Sequence, residues 1–344
     1  PKGVELTHSN FMHSMRDSLV ATKMINSSVN LICMPLFHIS GSGWGVLGLF
    51  NGARSILLRD VDLGAILRLI PQFGITHSLF VPAVLQFLLA EDACRETDLS
   101  SLQSITYGAS PITEAVLIDA MQTFGCEFVQ IYGLTETTGG ISVLEHADHD
   151  PEGPRSHLLR SCGKAISTHS IKILDRDSGE EMPEGEVGEI CVAGPQVMKS
   201  YWRNEEATKD SFIDGWFRTG DAGYLNDGYL YIHDRVKDMV ISGGENIYPA
   251  EIENVLMRHP LVADCAVIGV PSDRWGETVK AIVTRTDESL SEQALIEHCR
   301  KSLAGYKCPT SVDWMADIPR NPSGKILKVE LRKPYWRDKS RQVS

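Results

Sequence analysis

WFRTGDAGYLNDGYLYIHDRVKDMVISGGENIYPAEIE, Trp216 to Glu253, is the stretch on which the reading of this chain turns. Apolar and aromatic residues on both sides of Asn226-Asp227-Gly228 mark two short strands joined by a tight turn. Asp221 and Arg235 then fall just before and just after that hairpin, where an acceptor and a fork of donors can meet one ligand. After Arg235 come Lys237-Asp238, an apolar strand at Met239 to Ile241 and a flexible Ser242-Gly243-Gly244. A helix follows, with Pro249 in its first turn and Glu251 and Glu253 at its positive end.

The rest of the sequence sets outer limits. A chain of 344 residues, 42% hydrophobic and 23% charged, has the composition of a globular protein with room for two or more domains. No run approaches the roughly 20 apolar residues of a membrane helix, and no signal-peptide pattern opens the chain, so the expected compartment is the cytoplasm. The eight cysteines, at 33, 94, 126, 162, 191, 265, 299 and 308, form no CxxC pair and read as buried small hydrophobes. A net charge of -12 argues against nucleic acid as the partner, since backbone phosphates need a positive surface. Small anionic ligands remain compatible with it where a few donors converge.

Upstream, the pattern alternates helix and strand. Leu63, Ile66, Leu67 and Ile70 lie on one helix face, Thr76 to Val81 reads as a strand, and Pro82 opens another helix. Ser104 to Tyr107 is strand-like, Thr113 to Phe124 is helical with Gly125 as its stop, and Glu127 to Tyr132 is the next strand. Such alternation implies an α/β fold with a parallel sheet covered by helices, and ligands beyond the carboxyl ends of its strands. Two turns sit there, YGASP (Tyr107–Pro111) and YGLTETT (Tyr132–Thr138). Taken alone, Thr135 in TETT reads equally as a helix N-cap. Gly43, Gly45 and Gly48 satisfy GxGxxG, but Phe37 to Ser42 intervene after the strand and Asp60 comes too early, so a dinucleotide fold is disfavoured. The histidines and aspartates of Glu145–His157 match no common metal-ligand spacing and read as a solvated loop. Lys164 to Tyr201 is a run of short β-type segments. Beyond it a small α/β domain is expected, with strands at Val262–Val270 and Lys280–Thr284, a capping box of Ser289 with Glu292, and a solvated basic tail after Arg332.

The Trp216–Glu253 stretch resembles the adenylate-forming enzymes: acyl-CoA and aryl-CoA synthetases, firefly-type luciferases and the adenylation domains of peptide synthetases. The resemblance implies a large domain at 1–236, with a β-rich subdomain at 160–236, and a small mobile domain at 237–344 hinged at Lys237. PKG (Pro1–Gly3) resembles the tail of that family's phosphate loop; most of the loop is missing, so part of the N-terminal domain is expected upstream. Read on its own, the same start is a frayed end leading to a helix capped near Ser9.

By the same resemblance, Tyr132 stacks on adenine, Gly108, Ala109 and Ser110 flank it, and Gln130 lies at the base of the site. Thr135 donates to the α-phosphate and Glu136 carries Mg2+, in keeping with a hard cation's demand for oxygen. Asp221 holds the ribose hydroxyls and Arg235 reaches the ribose and phosphates. His38, in PLFH, sits between the acyl carboxylate and the pantetheine channel. Lys325, in the PxGK loop of IPRNPSGKILK, serves adenylation, and Gly243 and Gly244 serve CoA.

The activity so implied uses ATP, Mg2+ and CoA: a carboxylate is converted to acyl-AMP and then to acyl-CoA, with AMP and pyrophosphate as products. PLFHISGSGWG and YGASPI look most like fatty acyl-CoA synthetases, with aryl-CoA ligases next. A non-catalytic nucleotide-binding fragment is the reading from another class. Carboxylic acid, ATP and CoA are the expected partners, and nothing in the sequence bears on oligomeric state.

Overall fold

Asp227 and Gly228 take φ of 51° and 74°. This left-handed pair closes a two-residue hairpin between the strands Trp216–Asn226 and Tyr229–Arg235. Asp221 and Arg235 therefore lie within the hairpin strands and not outside them. The computed structural model describes residues 2–321 and 324–337. Among these, the chain separates into two compact units, one comprising residues up to Thr219 with Gly223–Ile232, the other Gly220–Ala222 and the residues from His233 on.

In the first unit the parallel strands run in the order Arg54–Leu57, Val29–Ile32, His77–Phe80, Ser104–Gly108 and Glu127–Leu134. Gly139–Leu144 then folds back antiparallel, and Lys164–Ala165 follows it through the pairs Ser142↔Ala165 and Val143↔Lys164. The β-rich run thus continues the same sheet, which has 12 strands among the described residues.

The covering helices start and stop where the sequence punctuates them. Asp62 accepts from the Ala65 N–H at 2.8 Å to cap Leu63–Phe73, and Gly74 ends that helix with φ 62°. Thr113 caps Glu114–Phe124 and Gly125 ends it with φ 59°. Between helices and sheet, Ile66, Ile70, Phe80, Leu85, Ile105, Leu117 and Phe128 are fully buried.

The GxGxxG run lies inside one helix, Ile39–Phe50, where its glycines serve packing instead of phosphate. A Cβ on Gly48 would come within 2.7 Å of the Asn30 amide nitrogen on the neighbouring strand. The chain start is likewise ordered from Lys2 on. Val4–Glu5 pairs with Ser200–Tyr201, and Thr7, not Ser9, caps the helix His8–Thr22.

The second unit is built on the antiparallel pair Val262–Ser272 and Gly276–Arg285, with Ser311–Trp314 parallel to the latter. Val240–Ser242 and Glu245–Ile247 complete the sheet as a hairpin, and Gly243 and Gly244 are its turn, with φ of 60° and 88°. The segment expected to be flexible is thus a tight two-residue connection. Helices Pro249–Leu256 and Glu292–Arg300 bury Ile252, Leu256, Leu295 and Cys299 against one sheet face.

Two expectations change here. Ser291, not Ser289, caps the second of those helices, while the Glu292 carboxylate accepts from the Val312 N–H at 2.8 Å. Of the tail after Arg332 expected to be solvated, Lys333 is exposed but Tyr335 and Trp336, at the end of the helix Lys328–Trp336, are half-buried, and the Trp336 indole donates to the Gly269 carbonyl at 3.1 Å; residues 338–344 lie outside the described residues. No helix among the described residues is long and apolar enough to cross a membrane.

The glycine-rich helix yields a test. A Cβ on Gly41 would lie 2.3 Å from the Pro35 carbonyl oxygen, whereas one on Gly43 would meet only the end of the Ile39 side chain at 3.2 Å. Gly41→Ala is expected to lower unfolding free energy by about 1–3 kcal/mol, and Gly43→Ala to change it by less than about 1 kcal/mol, the gain in helix propensity offsetting the close contact. Urea melts of the two variants decide it, and equal stability would contradict the packing role.

Candidate functional site

The parallel register places Gly108 opposite Ile131 and Tyr107 opposite Gln130. Both strands end at the same edge, so the two turns expected to bind nucleotide leave the sheet side by side. Gly108 approaches its neighbour so closely that a Cβ there would sit 2.1 Å from the Ile131 carbonyl oxygen. Ala109 then takes φ 68°, a left-handed kink that turns the chain outward before the half-buried Ser110.

On the adjacent strand Gln130 and Tyr132 share a face by the two-residue period. Gln130 is buried, with its Nε2 3.6 Å from the Cys162 sulfur, and its Oε1 has no partner among the described residues. Tyr132 is half-buried at the strand end.

Behind Gly108, Tyr107 is fully buried and its hydroxyl lies 3.0 Å from His149 Nε2. His149 Nδ1 faces the Glu145 carbonyl at 2.9 Å, so Nδ1 carries the proton and Nε2 accepts from the tyrosine. Part of the polar Glu145–His157 segment is therefore core, contrary to the solvated loop expected. The alternating His and Asp residues gave no local sign of this, because the partner lies 42 positions away.

After Leu134 the chain makes a 3-10 turn, Thr135–Thr137. The cap of that turn is Thr137, whose hydroxyl accepts from the Leu134 N–H at 2.9 Å and donates to the Gly139 carbonyl at 2.7 Å. Thr135, which alone could be read as a cap, is exposed with that role already filled. Beside it, Glu136 Oε1 accepts from the Tyr201 hydroxyl at 2.8 Å, and the Glu136 carbonyl accepts from the Met198 N–H at 2.7 Å. Lys2 Nζ sits 4.4 Å over the Tyr201 ring. A carboxylate oxygen oriented in this way is a donor of the kind Mg2+ takes, and no group of three or more His, Cys, Asp or Glu side chains that could hold a metal occurs among the described residues.

Tyr201 is the partner of Glu136 that the sequence reading missed. It lies 65 positions from Glu136 in the β-rich run, where nothing local distinguishes it from a core tyrosine. His38 begins the glycine-rich helix, and its Nδ1 accepts from the Ser40 N–H at 3.2 Å, so it also serves as the helix N-cap.

In the second unit Arg235 Nε and Asp221 Oδ1 are 3.0 Å apart, so the acceptor and the donor fork expected to meet one ligand are paired with each other. Asp221 is nearly buried and Arg235 about one-third exposed. Lys325 is exposed on a tight loop. Its N–H donates to Asn321 Oδ1 and its carbonyl accepts from the Asn321 N–H, both at 2.9 Å. Gly243 donates to the Trp275 carbonyl at 2.9 Å, which pins the glycine turn. The side chain of Lys237 lies outside the described residues.

Residues 1–202 match the AMP-binding enzyme family, and residues 251–325 match the AMP-binding enzyme C-terminal domain. The chain belongs to this adenylate-forming family. Among curated relatives, it is 40% identical to the fatty acid–[acyl-carrier-protein] ligase ScoC of Streptomyces coeruleorubidus, over 100% of this chain and 67% of that protein. It is 42% identical to a feruloyl-CoA synthase of Amycolatopsis sp, over 97% of this chain and 67% of the other.

Among solved structures, ATP-bound MatB of Rhodopseudomonas palustris superposes with a TM-score of 0.90 at 32% identity, covering 98% of this chain and 66% of MatB. MenE of Bacillus subtilis, in complex with ATP and magnesium ion, gives 0.85 at 36% identity, covering 96% of this chain and 67% of MenE. The chain thus spans about two-thirds of the length of these proteins, 66–67% in the four comparisons.

Burial pushes the His149 imidazole down from 6.5 to about 4. Between those values the unfolded chain takes up a proton that the folded state refuses, so stability falls as pH drops from 6.5 toward 4. The expected loss is about 3 kcal/mol. Urea unfolding of the native protein and of His149→Gln across this range should show the steeper pH dependence in the native protein; parallel curves would contradict the assignment.

Proposed function

We propose that the protein activates a carboxylic acid, a fatty acid foremost, with ATP to form acyl-AMP and then transfers the acyl group to CoA. The observation that carries this reading is the Thr135–Thr137 turn beside the Gly108–Ser110 kink, with the Glu136 carboxylate oriented by Tyr201. Tyr132 would supply the aromatic face for adenine, Gly108 to Ser110 would border the base, and Gln130 would close the floor of the site. Asp221 would accept from the ribose hydroxyls and Arg235 would donate to the ribose and phosphate side.

In the first half-reaction a substrate carboxylate oxygen bonds to the α-phosphorus of ATP as the bond to pyrophosphate breaks. Thr135 donates to the α-phosphate, and Lys325 supplies a cation for its developing charge. Glu136 would hold Mg2+, which when bound neutralises phosphate charge. In the second, the CoA thiol gives its proton to solvent, the thiolate sulfur bonds to the acyl carbon, and AMP departs with the electron pair of the C–O bond. Gly243-Gly244 would border the pantetheine and His38 would stand beside the acyl carbon, with Lys237 as the hinge between the two steps. Catalysis on this scheme is placement plus electrostatics.

The fatty-acid assignment draws support from the 40% identical ScoC, and the 42% identical feruloyl-CoA synthase favours an aromatic acid as the second reading. ATP–pyrophosphate exchange in the full-length protein with a panel of fatty and aryl acids separates them. Exchange driven by fatty acids supports the first reading, exchange driven by ferulate-like acids the second, and none with either makes this a non-catalytic nucleotide binder.

Lys325→Ala is expected to slow adenylation about 100-fold while thioester formation from preformed acyl-adenylate stays within about threefold; equal losses would remove Lys325 from its role. Tyr201→Phe is expected to raise the Mg2+ concentration for half-maximal exchange about tenfold with kcat restored at saturation, and an unchanged Mg2+ requirement would detach Tyr201 from Glu136.

A further inference from the structure

The second unit buries five charged side chains in one network. Lys328 Nζ lies 2.8 Å from Glu253 Oε1 and 3.5 Å from Asp234 Oδ2. Arg332, one turn later on the same helix face, places NH1 3.0 Å from Asp238 Oδ1 and donates through NH2 to the Asp238 carbonyl at 2.9 Å. All five side chains are less than one-fifth exposed. Backbone N–H groups also bind two of these carboxylates. Glu253 Oε1 takes the Val267 N–H at 2.7 Å, Asp234 Oδ2 takes the Ala250 N–H at 3.1 Å, and Asp234 Oδ1 takes the Arg235 N–H at 2.7 Å. Glu253 is thus not the helix-terminal counter-charge expected from the sequence but the floor of this network.

Such a cluster is a poor way to add stability, because desolvating the charges costs about as much as their attraction returns. Its best-attested use is to fix register. What is fixed here is specific. Asp234 and Asp238 bracket Lys237, and Lys328 follows Lys325 by three positions. On its other side the Lys325 loop is held by Arg320, which donates to the Gly324 carbonyl at 2.9 Å and pairs with Asp264 at 2.7 Å.

We propose that Lys328 and Arg332 are positioning residues that lock the C-terminal helix to the segment around Lys237, and so set where Lys325 stands during adenylation. The proposal rests on the functional reading above. Loss of the Lys328 contact lets the loop drift without unfolding the unit, whose two sheet faces are packed by separate apolar clusters.

The experiment compares Lys328→Met, Arg332→Met, Lys328→Arg and the control Lys333→Met in the full-length protein. Lys333 is exposed on the same helix and pairs only locally, with Glu330. Lys328→Met and Arg332→Met should each lower kcat of ATP–pyrophosphate exchange about tenfold, the scale of a small misplacement of a catalytic group. KM for ATP and thioester formation from preformed acyl-adenylate should stay within about twofold, since neither uses Lys325. Lys328→Arg should recover most of the loss, and Lys333→Met should show none. Equal decline of both half-reactions, or no decline, overturns the proposal.

Hydrogen exchange is read alongside. The amides of Lys325 and Leu327, bonded to Asn321 Oδ1 and the Pro319 carbonyl, should exchange faster in Lys328→Met, while those of Val262–Arg285 are unchanged. This readout does not need activity. If the unaltered protein shows no exchange of pyrophosphate, the functional reading fails, and the amide rates alone support or overturn the lock.

Discussion

The parallel pairing of Ser104–Gly108 with Glu127–Leu134 is the constraint from which the candidate nucleotide site follows. Because Gly108 stands opposite Ile131, both strands release their chains at one edge, and the turns that follow are neighbours. The pairing is held from beneath by Tyr107, Ile105 and Phe128, all fully buried, and from behind by the Tyr107–His149 hydrogen bond. Loss of side-chain volume in this layer would shift the strand ends, and with them every group that leaves them.

The second unit solves a different problem. Its exposed lysine sits on a loop containing proline and glycine, a composition that leaves a chain mobile when nothing ties it. Here hydrogen bonds inside the loop, the Arg320–Asp264 pair and the helix that follows restrain it on both flanks. Apolar packing places the sheet and helices, and ionic contacts of defined geometry place the loop, a division suited to a group that must be presented and not buried.

The sequence was most legible where structure is local. Asp62, Thr113, Gly74, Gly125 and Asp227-Gly228 mark helix and hairpin ends through the conformations they favour, and each does so in the fold. The pairing of Asp221 with Arg235 was not read from the sequence, which placed both residues outside the hairpin and directed them to a ligand. What escaped is what depends on distant partners. Tyr201 reaches Glu136, His149 reaches Tyr107 and Lys328 reaches Glu253 only once the sheet has formed. Of these, His149 lay in a polar run read as solvated because most such runs are. The glycines of the Ile39–Phe50 helix were weighed against a nucleotide motif, but their use is close packing of helix on strand, which spacing alone does not reveal.

The scattered cysteines have a practical consequence. Seven of the eight are buried and Cys126 is half-buried, and burial pushes the thiols of Cys33, Cys126, Cys191 and Cys299 up to about 12. Since the thiolate is the reactive form, burial and the raised pKa both slow alkylation of these sulfurs at neutral pH while the fold is intact. A single cysteine introduced on an exposed loop would then react ahead of them. A site-specific fluorophore or spin label placed there would stand against a background of largely buried thiols.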